Sequence, residues 1–113
     1  MSAPTVDAVA FAELQASAGA DFVHELIDTF LEEAPRMLGE LRSAAATGRS
    51  DAFRRAAHSL KSNANTFGAS TLGIMARDLE LNGVAAGGDE AAIDALAAEY
   101  ARVAARLAEL RDG

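Results

Sequence analysis

Hydrophobic residues recur along this chain in steps of three and four, the spacing that places them on one face of an α-helix. The longest stripe lies near the C-terminal end and covers nearly three heptads: Ile93, Leu96, Tyr100, Val103, Leu107 and Leu110. No run alternates apolar and polar residues over a length that predicts a strand. The pattern therefore predicts an all-α protein, and a seam of this length is typical of a helical bundle.

Capping residues and glycines divide the pattern into five predicted helices. The first runs from Asp7 to about Ala18, with Phe11 and Leu14 facing inward. The next three begin at polar N-caps and end near a glycine; their ranges are Asp21 to about Thr47, Ser50 to Phe67 and Ser70 to Asn82. The last runs from about Asp89 to Arg111. The inward residues predicted for the second and fourth helices are Phe22, Leu26, Ile27, Phe30, Ala34, Leu38, Leu41, Leu72, Met75 and Leu79.

Pro35 lies inside the second predicted helix. A proline there removes one backbone hydrogen bond and clashes with the carbonyl four residues earlier, that of Leu31, so we expect a kink or a break. The connections are short, including the VAAGGD loop at 84–89, and short connections favour antiparallel neighbours. We therefore expect one domain over residues 1–113, an antiparallel up-and-down four-helix bundle with its core at about 21–111 and a short N-terminal helix.

The composition supports packed helices and excludes several kinds of chemistry. Of the 113 residues 28 are Ala, which has the highest helix propensity. Without cysteine the chain has no disulfide, no thiolate nucleophile and no Cys-ligated metal. No stretch reaches the ~18 uncharged apolar residues of a membrane span, and the N-terminal MSAPTVDAVA lacks the basic start of a signal peptide. We therefore expect a cytoplasmic protein without a membrane segment.

The charge is unevenly distributed along the chain. A net charge of −7 argues against nucleic-acid binding, which needs clustered Lys and Arg. Between Arg49 and Phe67, however, four basic residues stand against one acid, so this segment carries +3. One predicted helix is therefore basic on an otherwise acidic protein.

That helix contains the run AAHSLKSNANTFG at residues 56–68, with a histidine on its polar side. At about 100° per residue the apolar residues cluster in one sector, and His58 lies about 150° from its centre. The apolar set is Phe53, Ala56, Ala57, Leu60, Ala64 and Phe67. The residues that share the face of His58 are Arg54, Arg55, Lys61, Ser62 and Asn65. Periodicity therefore predicts an exposed imidazole with net positive neighbours.

An exposed histidine on a solvated helix face often has no role, and that interpretation stays open. Two features favour a reactive ring: the basic neighbours are confined to this helix, and Ser62 and Asn65 are small enough to leave the imidazole approachable. A neutral imidazole is a nucleophile at pH 7, and beside cations its best-suited electrophile is an anion such as a phosphoryl group. The chemistry that fits is phosphorylation of a ring nitrogen.

The same residues resemble a known signature. Histidine-containing phosphotransfer (HPt) domains of multistep phosphorelays have the signature H-x-L-K-G-x5-G, to which this chain is similar at His58, Leu60, Lys61 and Gly68. DFVHELIDTFLEEAPRML resembles the family's second helix with its late proline, and LGIMARDLE resembles the helix after the motif. The similarity covers roughly Phe11 to Leu110. The chain departs from the signature at Ser62, where the family usually has Gly.

The resemblance implies a phosphoryl relay. His58 would accept a phosphoryl group on Nε2 from the phospho-aspartate of a receiver domain, and a second receiver domain would then remove it. Lys61 would place positive charge beside the phosphoryl oxygens, and the helical wheel adds four residues as a partner-binding surface: Arg54, Arg55, Ser62 and Asn65. We expect no cofactor or metal on this chain, because the receiver would supply Mg²⁺. The expected partners of this monomer are receiver domains of response regulators or a hybrid histidine kinase.

Other functions fit less well or stay open. The chain has no glycine-rich phosphate loop after a strand, so we expect a phosphoryl carrier without ATP-dependent kinase activity. His24 lies at the edge of the second helix's apolar stripe, and two histidines without other soft ligands make a poor zinc site. A module that binds a receiver or kinase independently of phosphorylation is the alternative, and a bundle with its binding surface elsewhere is a third possibility.

Overall fold

The structure is a computed structural model that describes residues 5–84 and 90–113. Within these ranges the chain forms helices and no strand, so the predicted all-α class is confirmed. The helices are α1 (Ala8–Ala18), α2 (Ala20–Thr47), α3 (Ser50–Thr66), α4 (Ser70–Asn82) and α5 (Glu90–Asp112). Except for Val84, the predicted VAAGGD loop lies outside the described residues, as does the predicted helix start at Asp89.

Helix α1 starts one residue after the predicted first residue, Asp7, which is its N-cap: the Oδ1 atom of Asp7 accepts a hydrogen bond of 2.9 Å from the amide of Ala10. The three caps predicted from the sequence are wrong, because each of these residues already lies in the first turn of its helix: Asp21, Ser50 and Ser70. A cap needs the non-helical backbone of the residue just outside the helix. The residues in that position make no side-chain capping bond: Gly19, Arg49 and Ala69.

Helix α2 continues through Pro35, so the predicted alternative of a break is wrong, while the kink stays a prediction. The carbonyl that loses its helical partner is that of Leu31, four residues before the proline. The hydroxyl of Tyr100 on α5 donates a hydrogen bond to this carbonyl at 3.5 Å, which is the long limit for such a bond. A side chain from a helix far along the chain therefore partly replaces the backbone hydrogen bond that the proline removes.

The core is built largely from the predicted apolar stripes. All six residues predicted to face inward near α3 are buried, and the rings of Phe30 and Phe67 lie 5.5 Å apart. The prediction that Phe22 faces inward is wrong, because this residue is 51% exposed. Val23 is buried instead, since it lies four residues before Ile27 and seven before Phe30 and so shares their face. Several predicted residues are only partly buried: Leu14, Leu26, Leu38, Met75, Tyr100 and Leu110.

The helices form a bundle in which α3 packs against α2 and α4, and α5 packs against the same two helices. Along α3 and α4 the contacting residues run in opposite directions: Arg54 lies against Gly83, His58 against Glu80, and Asn65 against Gly73. The outward face of α3 is therefore bordered by α4 and α2. In the two described ranges no helix is long and apolar enough to cross a membrane.

Candidate functional site

His58 lies on the outward face of α3, in agreement with the predicted exposure. Its side chain is 59% exposed, whereas Ala57 and Leu60 are fully buried. Each residue of an α-helix is rotated about 100° from the one before it, so the pattern that buries these two residues turns the imidazole toward solvent. The burial of the apolar side of α3 thus positions the histidine.

A carboxylate from the neighbouring helix α4 connects two residues of this face. The Oε2 atom of Glu80 lies 2.8 Å from Nδ1 of His58, and its Oε1 atom accepts a hydrogen bond of 2.7 Å from Nζ of Lys61. Both Lys61 and Glu80 are mostly buried, at 24% and 23% side-chain exposure. The three side chains therefore form one connected cluster in which the histidine is the most exposed member.

The cluster determines which nitrogen of the imidazole is available. The hydrogen bond from Lys61 is the main cause that lowers the pKa of Glu80; desolvation opposes it, and the bond to His58 adds a smaller lowering. Glu80 is therefore ionised near neutral pH, and an ionised carboxylate only accepts hydrogen bonds. It follows that Nδ1 of His58 carries a proton and donates a hydrogen bond to Glu80. In the neutral ring Nε2 then has the free lone pair.

Lys61 has a carboxylate partner that the sequence did not predict. Its ammonium forms an ion pair across the helix boundary with Glu80, because α4 brings that carboxylate within reach. The pair compensates much of the lysine charge beside His58. The predicted role of Lys61 toward a phosphoryl group stays a prediction, and the structure adds that Lys61 holds the carboxylate that contacts the histidine.

The remaining predicted site residues share the face of His58 and are exposed, but their polar groups point to different places. The guanidinium of Arg54 lies over the end of α4, where a methyl group on Gly83 would come within 3.1 Å of Nη2. Arg55 lies on the flank of this face that borders α2, in a groove shared with that helix. The Asn65 amide packs directly on Gly73 of α4. The structure therefore joins only Lys61 to His58, through Glu80; the contacts of the other residues with a partner stay a prediction.

Glu80 is the residue of this cluster that sequence reasoning missed. It lies 22 residues from His58, within the LGIMARDLE segment that resembles the family's helix after the motif. Its role depends on the register between α3 and α4, which a single sequence does not contain. A usable signal was the acidic residue close to the apolar stripe of α4, opposite a basic face on α3.

Fold and site define a class of protein: an all-helical bundle that displays an exposed histidine oriented by a carboxylate. A family model described as Hpt domain matches residues 25–113. The chain therefore belongs to the Hpt domain family. This confirms the predicted family and its histidine phosphotransfer function in phosphorelay signalling.

A solved structure agrees with this family assignment. The chain is similar to histidine-containing phosphotransfer protein B (HptB) from Pseudomonas aeruginosa PAO1, with a TM-score of 0.85 and 29% sequence identity. The similarity covers 98% of this chain and 97% of that chain. A search of curated proteins found no match.

Proposed function

We propose that His58 is the phosphoacceptor of this domain and that it is phosphorylated on Nε2. The observation that carries the proposal is the contact between Nδ1 and Glu80. This contact occupies one ring nitrogen and leaves the other as the nucleophile on a side chain that is 59% exposed. A partner can therefore reach the reactive nitrogen without any rearrangement of the bundle core.

In the proposed reaction, a receiver domain carrying a phospho-aspartate docks on this face of α3. The lone pair of Nε2 attacks the phosphorus, an N–P bond forms, the P–O bond to the aspartate breaks, and the aspartate leaves as a carboxylate. A second receiver domain takes the phosphoryl group by the reverse exchange, which restores the neutral imidazole. The acidic active site of a receiver supplies the Mg²⁺, and this chain supplies the nucleophile.

Glu80 acts as a positioning residue in this proposal. The ring gains positive charge when Nε2 bonds to phosphorus, because Nδ1 keeps its proton. A carboxylate at 2.8 Å from Nδ1 stabilises that charge and holds the plane of the ring. Lys61 keeps Glu80 ionised and in place, and it lies three residues from His58 on the same helix side, where it also contributes positive charge near the phosphoryl oxygens.

The finer architecture belongs to the same proposal. We infer an antiparallel up-and-down four-helix bundle made of α2 to α5, with α1 beside it and a kink in α2 near Pro35. The opposite directions of the contacting residues on α3 and α4 support this arrangement. The domain would act as a monomer in the cytoplasm, with receiver domains of response regulators or a hybrid kinase as its partners.

The test is transfer from labelled phospho-receivers to this chain and to two histidine variants. Purified receiver domains are phosphorylated with labelled acetyl phosphate, freed of the donor and mixed with wild-type protein, His58→Gln or His24→Gln. We expect label on the wild type and on His24→Gln, and none on His58→Gln. The label should be acid-labile and stable in base, as a phosphohistidine is.

The same variants separate a chemical role from a structural one. Because His58 is 59% exposed and its one side-chain contact is with Glu80, His58→Gln should change the free energy of unfolding by no more than about 1 kcal/mol. Label that persists on His58→Gln would exclude the acceptor. Binding of a receiver without any transfer to the wild type would favour the phosphorylation-independent module instead.

A further inference from the structure

A groove between α2 and α3 contains three arginines that have no role in the proposed transfer reaction. We call it the arginine groove and define it by Arg36, Arg49 and Arg55. It is open to solvent, has a volume of about 510 Å³, and includes one acidic residue, Glu40. The local charge is therefore positive on a protein whose net charge is −7.

These arginines form no direct ion pair within the described chain, although Glu40 lines the same groove. In residues 5–84 and 90–113 none of the three guanidinium groups forms an ion pair, although Arg42, Arg102 and Arg111 elsewhere do. Arg49 is held by neutral partners only: its Nε donates to Thr47 Oγ1 at 3.0 Å and its Nη2 donates to Ser43 Oγ at 3.1 Å. These bonds fix the guanidinium and leave its charge available to a partner.

The groove is directed toward the reactive histidine. Arg36 and Arg55, together with Glu33 and Glu40, also line an adjoining groove that extends along α3 to Ser59, the residue next to His58. Arg55 lies three residues before His58 and so less than one helical turn from it along the axis. A protein that covers Nε2 of His58 and spreads toward α2 would therefore cover these arginines.

We infer that the arginine groove binds carboxylate side chains on the rim of the docked receiver domain and thereby selects which receivers exchange phosphoryl groups with His58. The inference rests on the proposed function. Arginine forms two parallel hydrogen bonds with a carboxylate, and an acidic protein needs such a local basic surface to attract an acidic partner. The occupant is the receiver that must lie on this face during transfer, since the groove adjoins the turn that carries His58.

The test compares two double variants with the same net charge. Arg36→Gln/Arg55→Gln removes two groove charges. The control Arg42→Gln/Arg106→Gln removes two exposed arginines from other surfaces, one of them paired with Asp94 on α5. A panel of receiver domains phosphorylated with acetyl phosphate serves as the probe, and the receiver that transfers fastest to the wild type is used for kcat/KM at several salt concentrations. Circular dichroism melting confirms that both double variants fold.

We expect the groove variant to lower kcat/KM by at least about fivefold at 50 mM salt, which corresponds to about 0.5 kcal/mol for each of two exposed charge contacts. At 500 mM salt the groove variant and the wild type should have nearly equal kcat/KM, because screening weakens exposed charge pairs. The control should stay within about twofold of the wild type. Equal rates for the two double variants at low salt would overturn the inference while leaving the phosphoacceptor role of His58 intact.

A failure of the proposed function gives a different result. If no receiver labels the wild type, the affinity of the unphosphorylated receivers is measured for wild type and both double variants. Weaker binding of the groove variant alone would then support the groove as a docking surface without a relay. Equal affinities, or no binding to any of the three proteins, would overturn the groove inference as well.

Discussion

Replacing Glu80 with Gln removes a negative charge from the site and keeps a side chain of the same shape. A carboxylate offers one oxygen to His58 and the other to Lys61, at 2.8 and 2.7 Å. An amide has a single acceptor oxygen, and if that oxygen accepts from Lys61, its NH₂ group faces Nδ1 of His58. The variant therefore either loses the contact with His58 or keeps it with the proton moved to Nε2, where it blocks the nucleophilic lone pair. We expect the imidazole to lose its fixed Nδ1–H tautomer.

The size of the effect follows from how exposed the cluster is. Loss of the partner that orients a histidine costs about 10–100-fold in metal sites, where the ring is usually enclosed. Here the side chain of His58 is 59% exposed and that of Glu80 is 23% exposed, so water partly replaces the lost contact. We therefore expect the single-turnover transfer rate from a labelled phospho-receiver to fall by about 10-fold, the lower end of that range.

The control for Glu80→Gln is Asp78→Asn, which removes the same charge from an exposed position on the same helix. Nitrogen-15 NMR of the imidazole reports the tautomer directly, and we expect protonated Nδ1 in the wild type and in the control. The reasoning is refuted if Glu80→Gln transfers as fast as Asp78→Asn, or if Nδ1 of the neutral wild-type ring carries no proton.

Three further predictions concern stability. Gly68→Ala should destabilise the fold by about 1–3 kcal/mol in urea unfolding, because Gly68 has φ +77° and a methyl group there would lie 2.9 Å from Cβ of Ala10; an unchanged midpoint would contradict this. Tyr100→Phe should lower the free energy of unfolding by about 0.5–1 kcal/mol, since it removes the only hydrogen bond that the described chain offers to the Leu31 carbonyl from another helix. A stabilised variant would show that this long bond contributes nothing. The pKa of Glu80 is lowered in the folded protein, so the contacts of Glu80 stabilise the fold at a pH above the ordinary pKa of a glutamate. This stabilisation is lost as the pH falls through the lowered pKa. The difference in melting temperature between wild type and Glu80→Gln should therefore be present at pH 7 and absent in strong acid.

Much of α3 could be predicted because its packing follows from local geometry. The helix rotates by a constant angle per residue, so a single stripe containing Phe53, Leu60 and Ala64 determines which residues face solvent. The exposure of His58 follows from this rotation alone. The same reasoning failed at Phe22, because the apolar stripe at the start of α2 admits two choices and only the position of the neighbouring helices selects Val23.

The errors at helix starts have a similar origin. Serine is a frequent N-cap, but Ser50 and Ser70 each lie inside the helix by one residue. Helix ends fray, so the exact first residue is the least determined feature of a helix. The composition of the turn therefore predicted that a helix begins there, but not at which residue.

Helix content, the solvent-facing histidine and the family signature were all readable from the order of residues, because each depends on neighbours within one or two turns. The chemistry of the site depended on contacts between helices. Glu80 meets His58 and Lys61 only through the register of α4 against α3, and the arginine groove exists only because α2 brings Arg36 next to Arg55. Those registers are set by how whole apolar faces pack together, and that information is distributed over the entire bundle.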